Sequence, residues 1–233
     1  MDTPASLANA VYTNKTPSGF RKNKKLSDRR SKVYENEETG EIYIAYRGTD
    51  PTNKSDLLAD VAIATDTTAY HPRFHEAEKK LKRVQKYYGK RREEPLRIHA
   101  VGHSLGGALT RYVAERNELE SATVFNEGSN PYYDAKNELN LASRDPMKYL
   151  VEPTSQPREP SVLERAGFVK PKSNTKITHY TTRSDPISLG SYVPRANTTV
   201  EYVPRREGLD PHTMENFLRD SPAPVNVENY AIA

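Results

Sequence analysis

The chain contains no cysteine. This absence excludes disulfide bonds, thiolate metal sites and a cysteine nucleophile. No stretch approaches the roughly 18 consecutive apolar residues that a membrane helix needs, and the first residues lack the basic segment and apolar block of a signal peptide. We therefore expect a protein without a membrane span or signal peptide, which is intracellular or delivered by a non-classical route.

Apolar residues are scarce overall: 35% of the chain is hydrophobic, 28% is charged and the mean hydropathy is -0.86. A chain of 233 residues can nevertheless bury one domain core. Its 15 Tyr and 5 Phe argue against disorder, because disordered chains are poor in aromatic residues. We expect one domain over residues 31–233, preceded by an extended arm over residues 1–30.

Basic residues are concentrated in the first half, where residues 1–117 carry 22 basic and 15 acidic side chains although the net charge of the whole chain is only +4. Two basic runs, at 21–32 and 79–92, account for this excess. Basic faces attract the phosphates of nucleic acid or anionic lipid, but most charge runs only keep a domain soluble. We expect the basic runs to form solvent-exposed faces, and we leave open a peripheral contact with an anionic membrane. We do not expect binding of nucleic acid. The sequence indicates no oligomeric state.

Short apolar strands alternate with amphipathic helices along the chain. The pattern predicts strands at 31–36, 41–46, 96–101, 122–126, 177–181 and 199–203, and helices at 55–64, 72–88 and 105–117. Such alternation is typical of a mostly parallel sheet covered by helices on both faces, so we predict an α/β fold. The proline-rich stretch 127–174 interrupts the alternation and is predicted to be an irregular, cap-like excursion.

The segment LRIHAVGHSLGGALTRYVAE contains the pattern G-x-S-x-G between a predicted strand and a predicted helix. Its serine is Ser104, flanked by Gly102, His103 and Gly106. A serine on a sharp strand-to-helix turn exposes its hydroxyl only where glycines let the neighbouring backbone approach closely. The pattern therefore predicts a nucleophile elbow, against the alternative of a structural serine in a glycine-rich turn.

A nucleophilic serine needs a base, and the base needs an orienting carboxylate. In α/β-hydrolases the chain order is Ser, then Asp or Glu, then His, and only His179 and His212 follow Ser104 far along the chain. Because His179 lies inside a predicted strand, we predict His212 as the base. Asp185 follows the strand 177–181 at the sheet edge where α/β active sites gather, and it is the predicted carboxylate. Glu127, Asp134 and Asp145 are rival candidates for this role.

The oxyanion hole requires two hydrogen-bond donors. The backbone N–H of Leu105 is predicted as one, and Thr49, in the turn after the strand 41–46, as the other. No metal or cofactor is predicted. His71 and His75 are four residues apart but do not form the H-E-x-x-H pattern of a zinc site.

With these segments assembled, the chain resembles the class 3 lipases, the family of the fungal triacylglycerol lipases. AYRGTD is similar to the family's oxyanion strand, SDLLADVA to its lid helix and VGHSLGGAL to its nucleophile elbow, while TTRSDPISL and HTMENF resemble the segments that carry the catalytic Asp and His. The resemblance implies an α/β-hydrolase fold, a triad of Ser104, Asp185 and His212, and oxyanion donors at Thr49 and Leu105. It also implies a lid at 55–64, although that helix is equally compatible with a buried position.

The resemblance further implies hydrolysis of carboxylic esters of lipids, either acylglycerols or phospholipids. Two different functions stay open beside it. One is that of a non-catalytic protein of the same fold that binds anionic membrane or nucleic acid. The second is that of a different triad hydrolase, such as a thioesterase, a peptidase or an acyltransferase, because one fold supports many chemistries.

Overall fold

The computed structural model describes residues 3–49, 72–128, 173–182, 185 and 197–218. Within these residues seven strands form one sheet in the order of the chain: β1 (Phe20–Lys22), β2 (Ser31–Asn36), β3 (Ile42–Tyr46), β4 (Ile98–His103), β5 (Ser121–Phe125), β6 (Ile177–Thr181) and β7 (Thr198–Tyr202). β1 to β3 pair antiparallel, and β3 to β7 pair parallel. The predicted α/β class with a mostly parallel sheet is confirmed.

One face of the sheet is covered by helices α2 (Pro72–Gly89) and α3 (Leu105–Ala114). Consecutive parallel strands joined by right-handed crossovers place their connecting helices on the same side. Phe74, Leu81 and Val84 of α2 recur at helical spacing and are buried against Ile42 and Ile44 of β3 in one core cluster. Burial of each such side chain contributes about 1.5–3 kcal/mol.

The opposite face is covered by helix α1 (Thr3–Thr13) and by a 3₁₀ helix (Met214–Phe217). Leu7 and Val11 of α1 are buried in a second cluster together with Val101 and Phe125 of the sheet. The extended arm predicted for residues 1–30 is therefore wrong over the described residues: 3–13 form a helix and 20–22 form the edge strand β1. The prediction that helices cover both faces of the sheet is confirmed.

Each predicted strand is present, with bounds within two residues of the predicted ones, and β4 begins and ends two residues later than predicted. β2 and β6 have the predicted bounds, and α2 and α3 begin at the predicted residues, although α3 ends at Ala114 rather than at 117. The predicted helix 55–64 and nearly all of the excursion 127–174 lie outside the described residues. Among the described residues, no helix is long and apolar enough to cross a membrane.

The carboxyl ends of β4, β5 and β6 lie side by side, because these strands are parallel neighbours. Ser104, Asn126 and Thr182 follow directly after them. The backbone N–H of Thr182 donates to Asn126 Oδ1 at 2.9 Å, which ties two of these strand ends together. This edge of the sheet is where ligands bind in open α/β folds.

Candidate active site

Ser104 lies on a tight turn between β4 and α3. Its backbone has φ 57° and ψ -129°, a left-handed conformation that is unusual for a residue with a side chain. A Cβ atom at Gly102 would lie 2.1 Å from the carbonyl oxygen of Gly106, and one at Gly106 would lie 2.3 Å from the carbonyl oxygen of Tyr46. No side chain fits at either position, so the two glycines allow the turn that presents Ser104.

Ser104, His212 and Asp185 form a continuous hydrogen-bonded chain. His212 Nε2 lies 2.8 Å from Ser104 Oγ, and His212 Nδ1 lies 2.8 Å from Asp185 Oδ2. An ionised carboxylate can only accept a hydrogen bond, so the ring proton lies on Nδ1 and Nε2 is left to accept the serine hydroxyl proton. Asp185 is fully buried, whereas the His212 side chain keeps 19% of its surface exposed. The structure thus brings together the three residues predicted from chain order.

The turn after β3 packs directly against the elbow. A Cβ atom at Gly48 would lie 3.3 Å from Ser104 Cβ and 2.8 Å from the carbonyl oxygen of His103. Thr49 is the next residue along this turn, and Leu105 is the first residue of α3, which follows Ser104. A helix N-terminus favours negative charge through its unpaired backbone N–H groups. Leu105 therefore directly follows the nucleophile, and Thr49 follows a glycine whose backbone packs against it.

Glu127, a rival candidate for the triad carboxylate, is engaged elsewhere. Its two oxygens accept hydrogen bonds from Arg111 Nε at 2.6 and 2.7 Å, and both side chains are 4% exposed. This pair ties α3 to the segment after β5. Asp134 and Asp145, which the sequence also offers as triad carboxylates, lie outside the described residues.

The remaining histidines have different surroundings. His99 Nδ1 lies 2.8 Å from Ser121 Oγ at the start of β5, the opposite edge of the sheet from Ser104. His179 is fully buried beside Glu127, and His75 is exposed on α2. His71 lies outside the described residues. In the described part of the chain, no three His, Asp or Glu side chains are grouped so that they could hold a metal ion.

His103, predicted only as a member of the elbow, has a second set of contacts. The residue is 8% exposed, and its Nε2 lies 2.6 Å from the backbone carbonyl oxygen of His212. Burial, reinforced by the neighbouring His212, lowers the pKa of His103 to about 4. Sequence reasoning missed this contact because it joins residues 109 positions apart.

Comparison with known proteins shows a weak likeness to a solved structure. No family model and no curated protein matches the chain. Among solved structures, the chain is similar to a triacylglycerol lipase from Penicillium expansum, with 16% sequence identity and a TM-score of 0.44. The match covers 86% of this chain and 77% of that chain. The α/β-hydrolase class is supported by the mostly parallel order of the strands and by the strand-turn-helix elbow.

Proposed function

We propose that this protein is a serine hydrolase that cleaves carboxylic ester bonds of lipids, related to the class 3 lipases. The observation that carries the proposal is the hydrogen-bonded chain from Ser104 through His212 to the buried Asp185, with 2.8 Å at each step. Ser104 lies on a strained turn that only glycines can flank. The same geometry serves acyl transfer in several unrelated folds.

In the proposed reaction, Ser104 Oγ attacks the ester carbonyl carbon while His212 Nε2 accepts the serine proton. Asp185 stabilises the imidazolium that forms. The negative charge on the carbonyl oxygen is stabilised by the backbone N–H of Leu105 and by Thr49. His212 then donates its proton to the leaving alcohol, and an acyl-enzyme is left on Ser104. A water molecule, deprotonated by His212, attacks the acyl carbon and releases the carboxylic acid.

The lipid substrate class is supported by the similarity of the segments around Thr49, Ser104 and 55–64 to the lipase family. Peripheral contact with an anionic membrane has a separate support. Lys79, Arg83 and Lys86 are exposed and follow one another at spacings of four and three on α2, so they form one stripe on the helix, here called the cationic stripe.

The membrane contact is tested by sedimentation with vesicles of phosphatidylcholine alone or with anionic phosphatidylserine. We expect binding to the anionic vesicles only, weakened by salt and by replacing the cationic stripe with Gln. A matched variant replaces three exposed basic residues outside the stripe with Gln: Lys15, Lys24 and Lys25. Equal loss in both variants would assign the binding to net charge and not to α2.

Catalysis is tested by labelling with a fluorophosphonate, which reacts only with an activated serine. We expect labelling of the wild type, none of Ser104→Ala, and at least about 100-fold slower labelling of His212→Ala. Ser121→Ala and His99→Ala are matched controls, because they remove a serine and a histidine that are also 2.8 Å apart but at the opposite sheet edge. A folded wild type that is not labelled, or labelling that persists in Ser104→Ala, would overturn the proposal.

The substrate class requires a panel of esters. Triacylglycerols, phospholipids, short soluble esters and acyl thioesters are compared by acid or thiol release, with Ser104→Ala as the blank. We expect the lipid esters to give the highest kcat/KM. Preference for thioesters, or acyl transfer to an added alcohol in place of hydrolysis, would support a thioesterase or an acyltransferase instead.

A further inference from the structure

The segment that carries His212 is held by side chains from three adjacent strand ends. The Asn126 amide donates to the carbonyl oxygen of Pro211 at 2.7 Å, and the Thr182 hydroxyl donates to the same oxygen at 2.6 Å. His103 Nε2 lies 2.6 Å from the next carbonyl oxygen, that of His212 itself. These anchors fix the backbone on both sides of the His212 Cα atom.

The proton on His103 can be assigned from its partners. A carbonyl oxygen accepts only, so the 2.6 Å contact requires His103 Nε2 to carry a proton and donate. Nδ1 of the neutral ring is then an acceptor, and the Tyr12 hydroxyl lies 3.3 Å from it. The Tyr12 oxygen in turn accepts the backbone N–H of Gly48 at 2.9 Å. The resulting chain runs from Gly48 through Tyr12 and His103 to His212.

Tyr12 lies on α1, the helix that covers the sheet face opposite to α2 and α3. Its ring meets the His103 ring edge-on, with the centroids 6.0 Å apart. The His103 and His212 rings are 4.9 Å apart, so His103 also limits the tilt of the His212 imidazole. The N-terminal helix is thereby connected to the residue that faces Ser104.

We propose that His103 and Tyr12 are positioning residues for the reaction, which hold His212 at its 2.8 Å distance from Ser104 and make α1 part of the active-site structure. The inference rests on the proposed function. Neither residue exchanges a proton with the substrate. Both act through the backbone and ring orientation of His212, where a displacement of about 1 Å can lower the rate by about 100-fold.

The test compares variants of His103 in the full chain. His103→Leu removes the donor to the His212 carbonyl but keeps a side chain of similar bulk, and His103→Gln keeps an N–H that can reach the same oxygen. We expect His103→Leu to lower kcat and the rate of fluorophosphonate labelling by about 10- to 100-fold with KM within about twofold. We expect His103→Gln to restore most of this loss.

The matched control is His99→Leu, since His99 lies on the same strand and on the same face of the sheet. It makes no contact with the His212 segment in the described residues. We expect His99→Leu to keep the kcat and labelling rate of the wild type. Equal losses in His99→Leu and His103→Leu would assign the effect to general packing of β4 and overturn the inference.

Tyr12 supplies an independent test that does not depend on the folding of His103→Leu. Tyr12→Phe removes only the hydroxyl, and we expect a fall in kcat of about 3- to 10-fold with KM unchanged. Tyr88→Phe is its control, because that hydroxyl accepts a hydrogen bond from Asn23 far from the site, at 3.0 Å. Unchanged kcat in Tyr12→Phe together with unchanged kcat in His103→Leu would refute the inference while the labelled wild type still supports the proposed function.

Discussion

The buried ion pair of Arg111 and Glu127 leads to a quantitative prediction about stability. Arg111 Nε contacts both carboxylate oxygens at 2.6 and 2.7 Å, and each side chain is 4% exposed. Removal of one partner takes the closest ionic contact away from the remaining buried charge, and such a loss costs about 3–5 kcal/mol. A whole domain is stable by only about 5–15 kcal/mol, so this loss is a large share of the total.

We therefore expect Arg111→Met and Glu127→Met each to lower the free energy of unfolding by about 3–5 kcal/mol, measured by urea denaturation with circular dichroism. The double variant removes both charges together, so we expect its free energy of unfolding to lie within about 2 kcal/mol of the wild type. This non-additivity is the signature of the pair. If the two losses simply add, or if each single variant loses under about 1 kcal/mol, the assignment of Glu127 to this structural pair is wrong.

Three further predictions concern the elbow and His103. Gly106→Ala should lower the free energy of unfolding by about 3 kcal/mol, because its Cβ atom would overlap the Tyr46 carbonyl oxygen. The control Gly89→Ala, whose Cβ atom would have its nearest neighbour at 4.0 Å, should change this free energy by less than about 1 kcal/mol. Equal effects of the two variants in urea denaturation would contradict the crowding at Gly106. Ser104→Gly should be more stable than Ser104→Ala by about 1 kcal/mol, since glycine adopts a φ of 57° without strain. Identical urea midpoints of the two variants would argue against a strained turn. Burial lowers the pKa of His103 to about 4 from its ordinary 6.5, so the unfolded chain binds this proton at a higher pH than the native protein does. The free energy of unfolding should therefore rise by about 3 kcal/mol between about pH 4 and 6.5. His103→Gln should lack this part of the pH dependence, and parallel curves for the two proteins would refute the prediction.

The local parts of the fold could be predicted from the sequence. The bounds of β2 and β6 and the starting residues of α2 and α3 follow from apolar spacing within each segment. The elbow follows from a five-residue pattern. Chain order then led to His212 and Asp185, which the structure brings within hydrogen-bond distance of Ser104 and of each other. Each of these inferences needed only neighbouring residues or the order of elements.

The predictions that failed concern elements whose positions depend on residues far away in the sequence. Residues 3–13 contain three alanines, which favour a helix, but their apolar residues form only a weak stripe, so periodicity alone does not indicate a packed helix. Its position follows from the sheet: with α2 and α3 on one face, Val101 and Phe125 on the opposite face need a cover, and α1 supplies it. The anchors of the His212 segment, Asn126 and Thr182, are polar residues after strands, and no local pattern separates them from ordinary turn residues.

The hydrogen-bonded chain from Tyr12 to His212 also bears on how the protein is made. Its members are spread from the first helix to the last described segment, and His212 and Ser104 are 108 positions apart. Contacts between such distant residues are slow to form, because closing a long stretch of chain costs entropy before the contact contributes. A growing polypeptide on the ribosome cannot place the His212 imidazole next to Ser104 until residue 212 has emerged. The proposed esterase activity would thus arise only after the segment that carries His212 has emerged and both faces of the sheet are covered.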